Sequence, residues 1–368
     1  MRIVIYQDYL RVGGTESQSL YLSKRFRERG HEVVLLTNRP GGSLLHLVGQ
    51  YGLSHRTLQL RDSRLNWYCP GLITVLSEIH PDVIILMGRN ANCQGWRICE
   101  ALPEVKVVAT FRTGRRVPWM YRRTLKWAPL VICNSNYALS RLRSLGIHNP
   151  AIEVHPNACL TAESITATRD SDGFHVDLPF PLTKDHQHLL YVAAFVKGKN
   201  HAGLVRMMKS IVREKPHVTL LLVGEGPLRS HVETLVEKQG LHANIRFTGY
   251  RKDVENFYSI ADIAVSPSLE ESMPNFLVEA QYAGLPVVAY DEAGVRECFI
   301  PEESGFLVGR GDEQAFVAAV LKLIDNTPLL AEMEEKAKAF AIANFDPDVR
   351  FEALFQSVLK LAIRSSSV

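Results

Sequence analysis

Glu271 and Glu279 stand with seven residues between them in the stretch Ser266-Pro267-Ser268-Leu269-Glu270-Glu271-Ser272-Met273-Pro274-Asn275-Phe276-Leu277-Val278-Glu279-Ala280. An apolar run ends at Ser266, a polar loop holds Glu271, and Pro274 suits the first position of a helix. Glu279 then falls about a turn and a half inside that helix. A helix N-terminus offers free N–H groups and partial positive charge to phosphates. A nucleoside diphosphate laid over it would set its phosphates on the backbone amides, its ribose near Glu279 and an attached sugar near Glu271. Carboxylates suit both ends, because they accept two hydrogen bonds from vicinal hydroxyls. The same spacing also fits an ordinary helix, with Glu279 a solvated residue and Glu271 a first-turn acid favoured by the dipole. A second turn, Val12-Gly13-Gly14-Thr15-Glu16, pairs two glycines that let a backbone approach a ligand closely, or that serve only a tight turn.

The elements that must position these residues alternate. Arg2–Tyr6 reads as a strand, Thr15–Arg29 as a helix closed by Gly30, and Glu32–Thr37 as the next strand. Further strands are predicted at Val83–Met87, Val105–Thr110, Val131–Asn134 and Ala151–Val154. Around residues 160–187 the pattern fades into Thr, Ser, Asp, Pro and Gly, the composition of a linker. It then restarts, with strands at Leu189–Ala194, Val218–Val223, Ile245–Thr248, Ile263–Ser266 and Pro286–Ala289, and helices at about 201–214, 227–239, 252–260 and 274–283. Such alternation implies α/β domains, each a doubly wound parallel sheet covered on both faces. At 368 residues two domains are expected: 1–165, a linker over 166–187, then 188–345. A last helix over 346–368 is expected to pack back toward the first domain.

These residues together resemble glycosyltransferase family 4, the retaining enzymes of GT-B fold. Glu271 and Glu279 look like its EX7E signature, and Gly13-Gly14-Thr15-Glu16 with Arg29-Gly30-His31-Glu32-Val33 resembles its opening unit. Asn134-Ser135, Leu222-Val223-Gly224-Glu225-Gly226-Pro227 and Val287–Glu297 resemble later elements. The resemblance implies two Rossmann-like domains with an interdomain cleft, and transfer of a hexose from a nucleotide-diphosphate sugar, a UDP-sugar by preference, to a glycan. It implies that Glu271 and Lys199 act in catalysis, Lys199 neutralising the leaving diphosphate. Glu279 would hold the ribose, the amides of Ser272, Met273, Pro274, Asn275 and Phe276 the sugar and phosphates, and Gly13 and Gly14 the diphosphate. Gly224, Tyr250 and Arg251 would border the base. No metal and no bound cofactor are implied. Three positions depart from the family: Ala193-Ala194 replaces its Gly-Arg, Arg112 its first-domain histidine, and Asn157-Ala158-Cys159-Leu160 its Asn-Gly-x-Asp. They keep open an inactive sugar-nucleotide-binding protein, alongside a nucleotide-sugar epimerase of the same fold.

Charge is uneven along the chain. Residues 1–170 carry 22 Lys and Arg against 12 Asp and Glu; residues 171–368 carry 20 against 27. Val105–Trp127 holds seven basic residues and no acid: Lys106, Arg112, Arg115, Arg116, Arg122, Arg123 and Lys126, interleaved with Trp119, Met120, Tyr121 and Trp127. Such a segment suits an anionic membrane surface or a lipid-linked, phosphorylated envelope acceptor. It equally suits a solvated basic helix with its aromatics in the core. No nucleic-acid module accompanies it. The six scattered cysteines include no CxxC pair and read as small buried hydrophobes. The first strand lacks the apolar region of a signal peptide, so a cytoplasmic protein, peripheral at the inner face of the membrane, is expected. A GxGxxG dinucleotide turn is absent, and Asn38-Arg39 follows strand two where an acidic ribose ligand would stand, which argues against an NAD-dependent oxidoreductase.

Overall fold

The computed structural model describes residues 1–112, 116–169 and 186–363, with backbone only over 166–169. Two compact units emerge: Met1–Leu160 with the chain from Pro347 onward, and Thr161–Asp346.

In the first unit, β1 (Arg2–Gln7), β2 (Glu32–Thr37), β3 (Ser54–Thr57), β4 (Val83–Leu86), β5 (Lys106–Phe111), β6 (Leu130–Cys133) and β7 (Ile152–Val154) form one sheet of order β3-β2-β1-β4-β5-β6-β7. Every pairing is parallel. Central strands such as Val83-Ile84-Ile85-Leu86 are wholly buried, which is why they read as unbroken apolar runs. β3, Ser-His-Arg-Thr, was not anticipated: an edge strand needs no apolar run, because one side meets water. Helices α1 (Gly14–Glu28), α2 (Leu45–Gln50), α3 (Leu72–Ile79), α4 (Arg89–Ala101), α5 (Trp119–Trp127) and α6 (Asn136–Ser144) connect the strands. Ser135 caps α6, its side chain accepting from the Ala138 amide.

The second unit opens with α7 (Ala162–Arg169), which packs on two later helices of that unit. The boundary between units therefore falls at Leu160, before the expected linker; the remainder of that linker, 170–185, lies outside the described residues. β8 (Gln187–Val192), β9 (Val218–Val223), β10 (Ile245–Gly249), β11 (Ile263–Ser266), β12 (Val287–Tyr290) and β13 (Gly305–Val308) form a second parallel sheet, β10-β9-β8-β11-β12-β13. Around it lie α8 (His201–Glu214), α9 (Arg229–Lys238), α10 (Glu255–Ile260), α11 (Asn275–Tyr282), α12 (Glu313–Ile324) and α13 (Thr327–Phe345). β13 escaped prediction because it opens on Gly305, which reads as a break; a Cβ there would lie 2.4 Å from the Val287 carbonyl oxygen.

The last helix, α14 (Pro347–Ile363), belongs to the first unit. Phe351 and Phe355 stack beside Phe26 of α1 with ring centroids 5.2 and 6.0 Å away. Arg25 and Arg29 pair with Asp348 and Glu352, each at 2.5 Å.

Strand order reverses between β1 and β4 in the first sheet and between β8 and β11 in the second. Beyond the carboxyl ends of such strands the flanking loops diverge and leave a crevice, the usual ligand position in open α/β sheets.

Candidate active site

In the second unit that reversal sets two loops side by side. The loop after β8 carries Lys199, and the loop after β11 carries Glu271. They are joined by a backbone hydrogen bond from the Leu269 amide to the Gly198 carbonyl, 2.8 Å. Lys199 Nζ forms an ion pair with Glu271 Oε1, the lysine side chain 27% exposed and the glutamate 8%. A carboxylate this sheltered needs a partner, and Lys199 supplies it.

Helix α11 follows. Pro274 is its N-cap and Asn275 its first residue, one position later than the proline rule placed the start. The amides of Leu277 and Val278 bond back to the Pro274 carbonyl. Ser272, Met273, Pro274, Asn275 and Phe276 thus form the turn and first residues at this helix end. Glu279, half-buried on the next turn, accepts a 2.6 Å hydrogen bond from the Tyr258 hydroxyl of α10. Burial lifts its pKa to about 7 from the ordinary 4.5; nearby Glu255 adds to this and Tyr258 opposes it.

A further loop closes on Ser272. Gly294 sits at φ 69°, and a Cβ there would lie 1.4 Å from the Ser272 carbonyl oxygen. Both conformation and contact require glycine. The same loop brings Glu292, its side chain 10% exposed and paired with Arg310 at 3.0 Å, into electrostatic range of Glu271 and Glu270.

Of the residues expected at the base, Gly224 has φ 142° and a Cβ position 2.2 Å from the Ala193 carbonyl oxygen, so it lets the chain leaving β9 run close against that leaving β8. Tyr250 is 41% exposed. Arg251 is engaged with Asp253 through two hydrogen bonds of 2.9 and 2.7 Å. Ala194 is exposed and Ala193 half-buried. Lys199, Glu271, Glu279 and the Ser272–Phe276 turn therefore gather beyond the carboxyl ends of the central strands of one sheet. The residues that sequence reasoning missed are Glu292, Tyr258 and Tyr191. Tyr191, buried in β8, gave one usable signal: a tyrosine within the apolar run Leu189–Val192 brings a hydroxyl that needs a partner.

The first unit holds the other expected residues. Gly13 is extended, φ 176°, so its backbone needs no glycine; a Cβ there would meet Glu16 Oε2 at 2.4 Å. Glu16 is buried, its pKa raised by burial, and Arg11 pairs with it at 2.9 Å. Gly14 begins α1. At the β1/β4 reversal Asp8 accepts the Asn90 and Ala91 amides, 3.0 and 2.8 Å, at the start of α4. Arg112, half-buried just past the end of β5, donates to the side chain of Asn157, which opens the third departing stretch and itself keeps the family's asparagine. Burial lowers the Arg112 pKa to about 10.

The aromatics of the basic stretch divide. Tyr121 is buried, its hydroxyl bonded to the Thr110 carbonyl, whereas Trp119 and Trp127 are 68% and 70% exposed. The core reading fails for those two tryptophans. Arg116, Arg123 and Lys126 are exposed, with the Arg123 guanidinium 3.2 Å over the Trp96 ring, and Arg122 is half-buried. Arg115 lies outside the described residues. Of the cysteines, Cys133, Cys159 and Cys298 are buried and Cys69, Cys93 and Cys99 only half-buried. Among the described residues no helix is long and apolar enough to cross a membrane.

Comparison with known proteins agrees with the geometry. Residues 12–162 match the model for Glycosyltransferase Family 4, and residues 179–340 that for Glycosyl transferases group 1. The putative glycosyltransferase EpsD of Bacillus subtilis (strain 168) is 29% identical over 154 residues, 42% of this chain and 40% of that protein. The lipopolysaccharide core biosynthesis glycosyltransferase LpsD of Rhizobium meliloti (strain 1021) is 29% identical over 321 residues, 86% of each chain. Among solved structures, Alr3699/HepE of Anabaena, crystallised in complex with UDP-glucose, superposes with a TM-score of 0.80 at 20% identity, covering all of both chains. With a glycosyltransferase model on each half and a structural match along its whole length, the chain belongs to the glycosyltransferases of GT-B fold.

Proposed function

We propose that the chain is a retaining hexosyltransferase that takes its sugar from a nucleotide diphosphate, a UDP-sugar by preference. The observation that carries this reading is the Lys199–Glu271 ion pair at the β8/β11 reversal, with Glu279 on the helix that follows. In the ligand-free protein the two charges neutralise each other. A bound diphosphate would draw Lys199 from Glu271, leaving the ammonium on the departing phosphate and the carboxylate beside the reacting carbon. Catalysis is then mainly electrostatic, by charges already in place where charge develops. Glu279 takes the ribose hydroxyls. The UDP and UDP-glucose complexes of Alr3699/HepE support the choice of donor.

The acceptor we infer is a glycan of the bacterial envelope, lipid-linked or phosphorylated, in keeping with the part of LpsD in lipopolysaccharide core biosynthesis. The basic face of α5, with Trp119 and Trp127 outward, suits peripheral attachment to an anionic membrane at its inner surface. Co-sedimentation with phosphatidylglycerol vesicles checks this: binding should be lost in a Trp119→Ala, Trp127→Ala protein. Retention of binding would remove α5 from the membrane face.

A second reading, donor binding without transfer, draws on Ala193-Ala194, where no second cation stands. One experiment addresses both. Thermal shift against UDP-, GDP-, ADP- and dTDP-sugars should raise the melting temperature with one nucleotide class, since a ligand of the native state stabilises it. A folded Glu279→Ala protein should lose that shift; if it binds as the parent does, the site is wrong. Release of free sugar with the donor's anomeric configuration would distinguish a retaining transferase from a silent binder.

A further inference from the structure

Tyr191 lies in the middle of the second sheet, 1% exposed, yet its side chain touches all three parts of the proposed donor site. Its hydroxyl donates to the Lys199 carbonyl at 2.9 Å and lies 2.8 Å from Ser268 Oγ, three residues before Glu271. A phenol has one proton. With that proton on the Lys199 carbonyl, the Ser268 hydroxyl must be the donor in the second bond, so the order runs Ser268 to Tyr191 to Lys199. The ring packs edge-on against Phe276 of α11, centroids 5.7 Å apart, and against His201, 5.0 Å away, which stacks on Phe195 at 4.1 Å. Phe276 in turn stacks on Tyr258, the donor to Glu279, at 6.2 Å. One buried phenol thus joins the Lys199 loop, the Glu271 loop and the helix that carries Glu279.

We propose that Tyr191 is a positioning residue: its hydroxyl and that of Ser268 fix the Lys199 loop to the Glu271 loop, so that the ammonium stands where the leaving diphosphate needs it. This rests on the donor-site reading above. The Leu269–Gly198 backbone bond brings the loops together, and the Lys199 amide is held within its own turn by the Val196 carbonyl at 3.0 Å, while the Lys199 carbonyl receives the Tyr191 hydroxyl. With Ala193-Ala194, which carry no charge, following β8, transition-state charge on the diphosphate depends on where this lysine sits. A displacement of about 1 Å at such a group is enough for a 100-fold effect.

The test compares the parent with Tyr191→Phe, Ser268→Ala and the double variant in the full chain. Each is assayed for steady-state hydrolysis of UDP-glucose, for calorimetric binding of UDP, and for melting temperature. Tyr191→Phe keeps the ring and its contacts, so the protein should fold. The expected result is a kcat about 10- to 100-fold lower, with KM and nucleotide affinity within about threefold of the parent, a change of less than about one RT ln 10. Ser268→Ala should give a similar but smaller loss, and the double variant should lose no more than Tyr191→Phe, because the two hydroxyls act as one unit. A lowered melting temperature with unchanged kcat would make Tyr191 a structural residue and overturn the proposal. So would full additivity, or loss of nucleotide binding along with kcat. If the parent neither binds nor hydrolyses any sugar nucleotide, the donor-site reading itself falls and this inference falls with it, an outcome distinct from a variant that behaves as an active parent does.

Discussion

The charge state of Glu279 is the residue-scale property that most directly governs the proposed donor site. The ionised carboxylate accepts from the ribose hydroxyls far more strongly than the protonated acid, and burial holds its pKa near 7. Nucleotide affinity measured by calorimetry should therefore increase several-fold from pH 6 to pH 8. Glu279→Gln should bind weakly and without that pH dependence. Stability moves the other way. The folded carboxyl holds its proton more tightly than the unfolded one, whose pKa is 4.5. Its contribution to ligand-free stability is complete below that value and is lost as the pH rises through about 7, by at most about 1.4 kcal/mol per pH unit. Melting curves of the parent relative to Glu279→Gln should converge or cross in that window. A parent affinity that is flat from pH 6 to 8 would place the carboxylate away from the ligand.

At the scale of elements, the site is made by loops that two neighbouring strands deliver together, and the loop of Gly294 lies against Ser272 with no room for a Cβ. Alanine at position 294 cannot be accommodated by a side-chain adjustment, since the clash is with backbone and φ is positive. Strain alone is worth about 1–3 kcal/mol. Gly294→Ala should lower the melting temperature by several degrees and abolish the nucleotide-induced thermal shift, because the Ser272–Phe276 turn must move. A Gly309→Ala control, with open space around its Cβ, should do neither. Parent-like binding by Gly294→Ala would show that the turn does not meet the donor.

At the scale of the whole chain, the first unit is completed only by the last helix. Phe351, Leu354, Phe355 and Val358 are each 9% exposed or less and join the core formed by Phe26, Ile3, Val33 and Leu35. Burial of such side chains contributes about 1.5–3 kcal/mol apiece, so the four together rival the stability of a whole domain. Phe351→Ala should cost about 3–5 kcal/mol. Calorimetry should show the loss in the transition of the first unit, with the second melting as before. If both units shift equally, they unfold as one cooperative body.

Much of this was legible in the amino-acid order, for physical reasons that can be named. Parallel strands buried on both faces must be apolar runs, so β1, β4, β9 and β11 were visible, and the helices between them follow from periodicity. Edge elements such as β3 were not, since half-solvated strands carry no such run. The spacing of Glu271 and Glu279 was a local fact about a loop and the helix after it. That Lys199 pairs with Glu271, 72 residues away, depends on the strand order β8-β11, which no local pattern encodes. Tyr191, Tyr258 and Glu292 are sited by the same long-range packing, and in the linear chain they read as core or surface. The exposure of Trp119 and Trp127 was likewise undecided, because a helix that alternates aromatic and basic residues fits either orientation until the sheet beneath it selects the buried face. Sequence alone determined the periodicities and the local chemistry. The tertiary structure decided which charges meet, because pairing across an open sheet is set by which strands become neighbours.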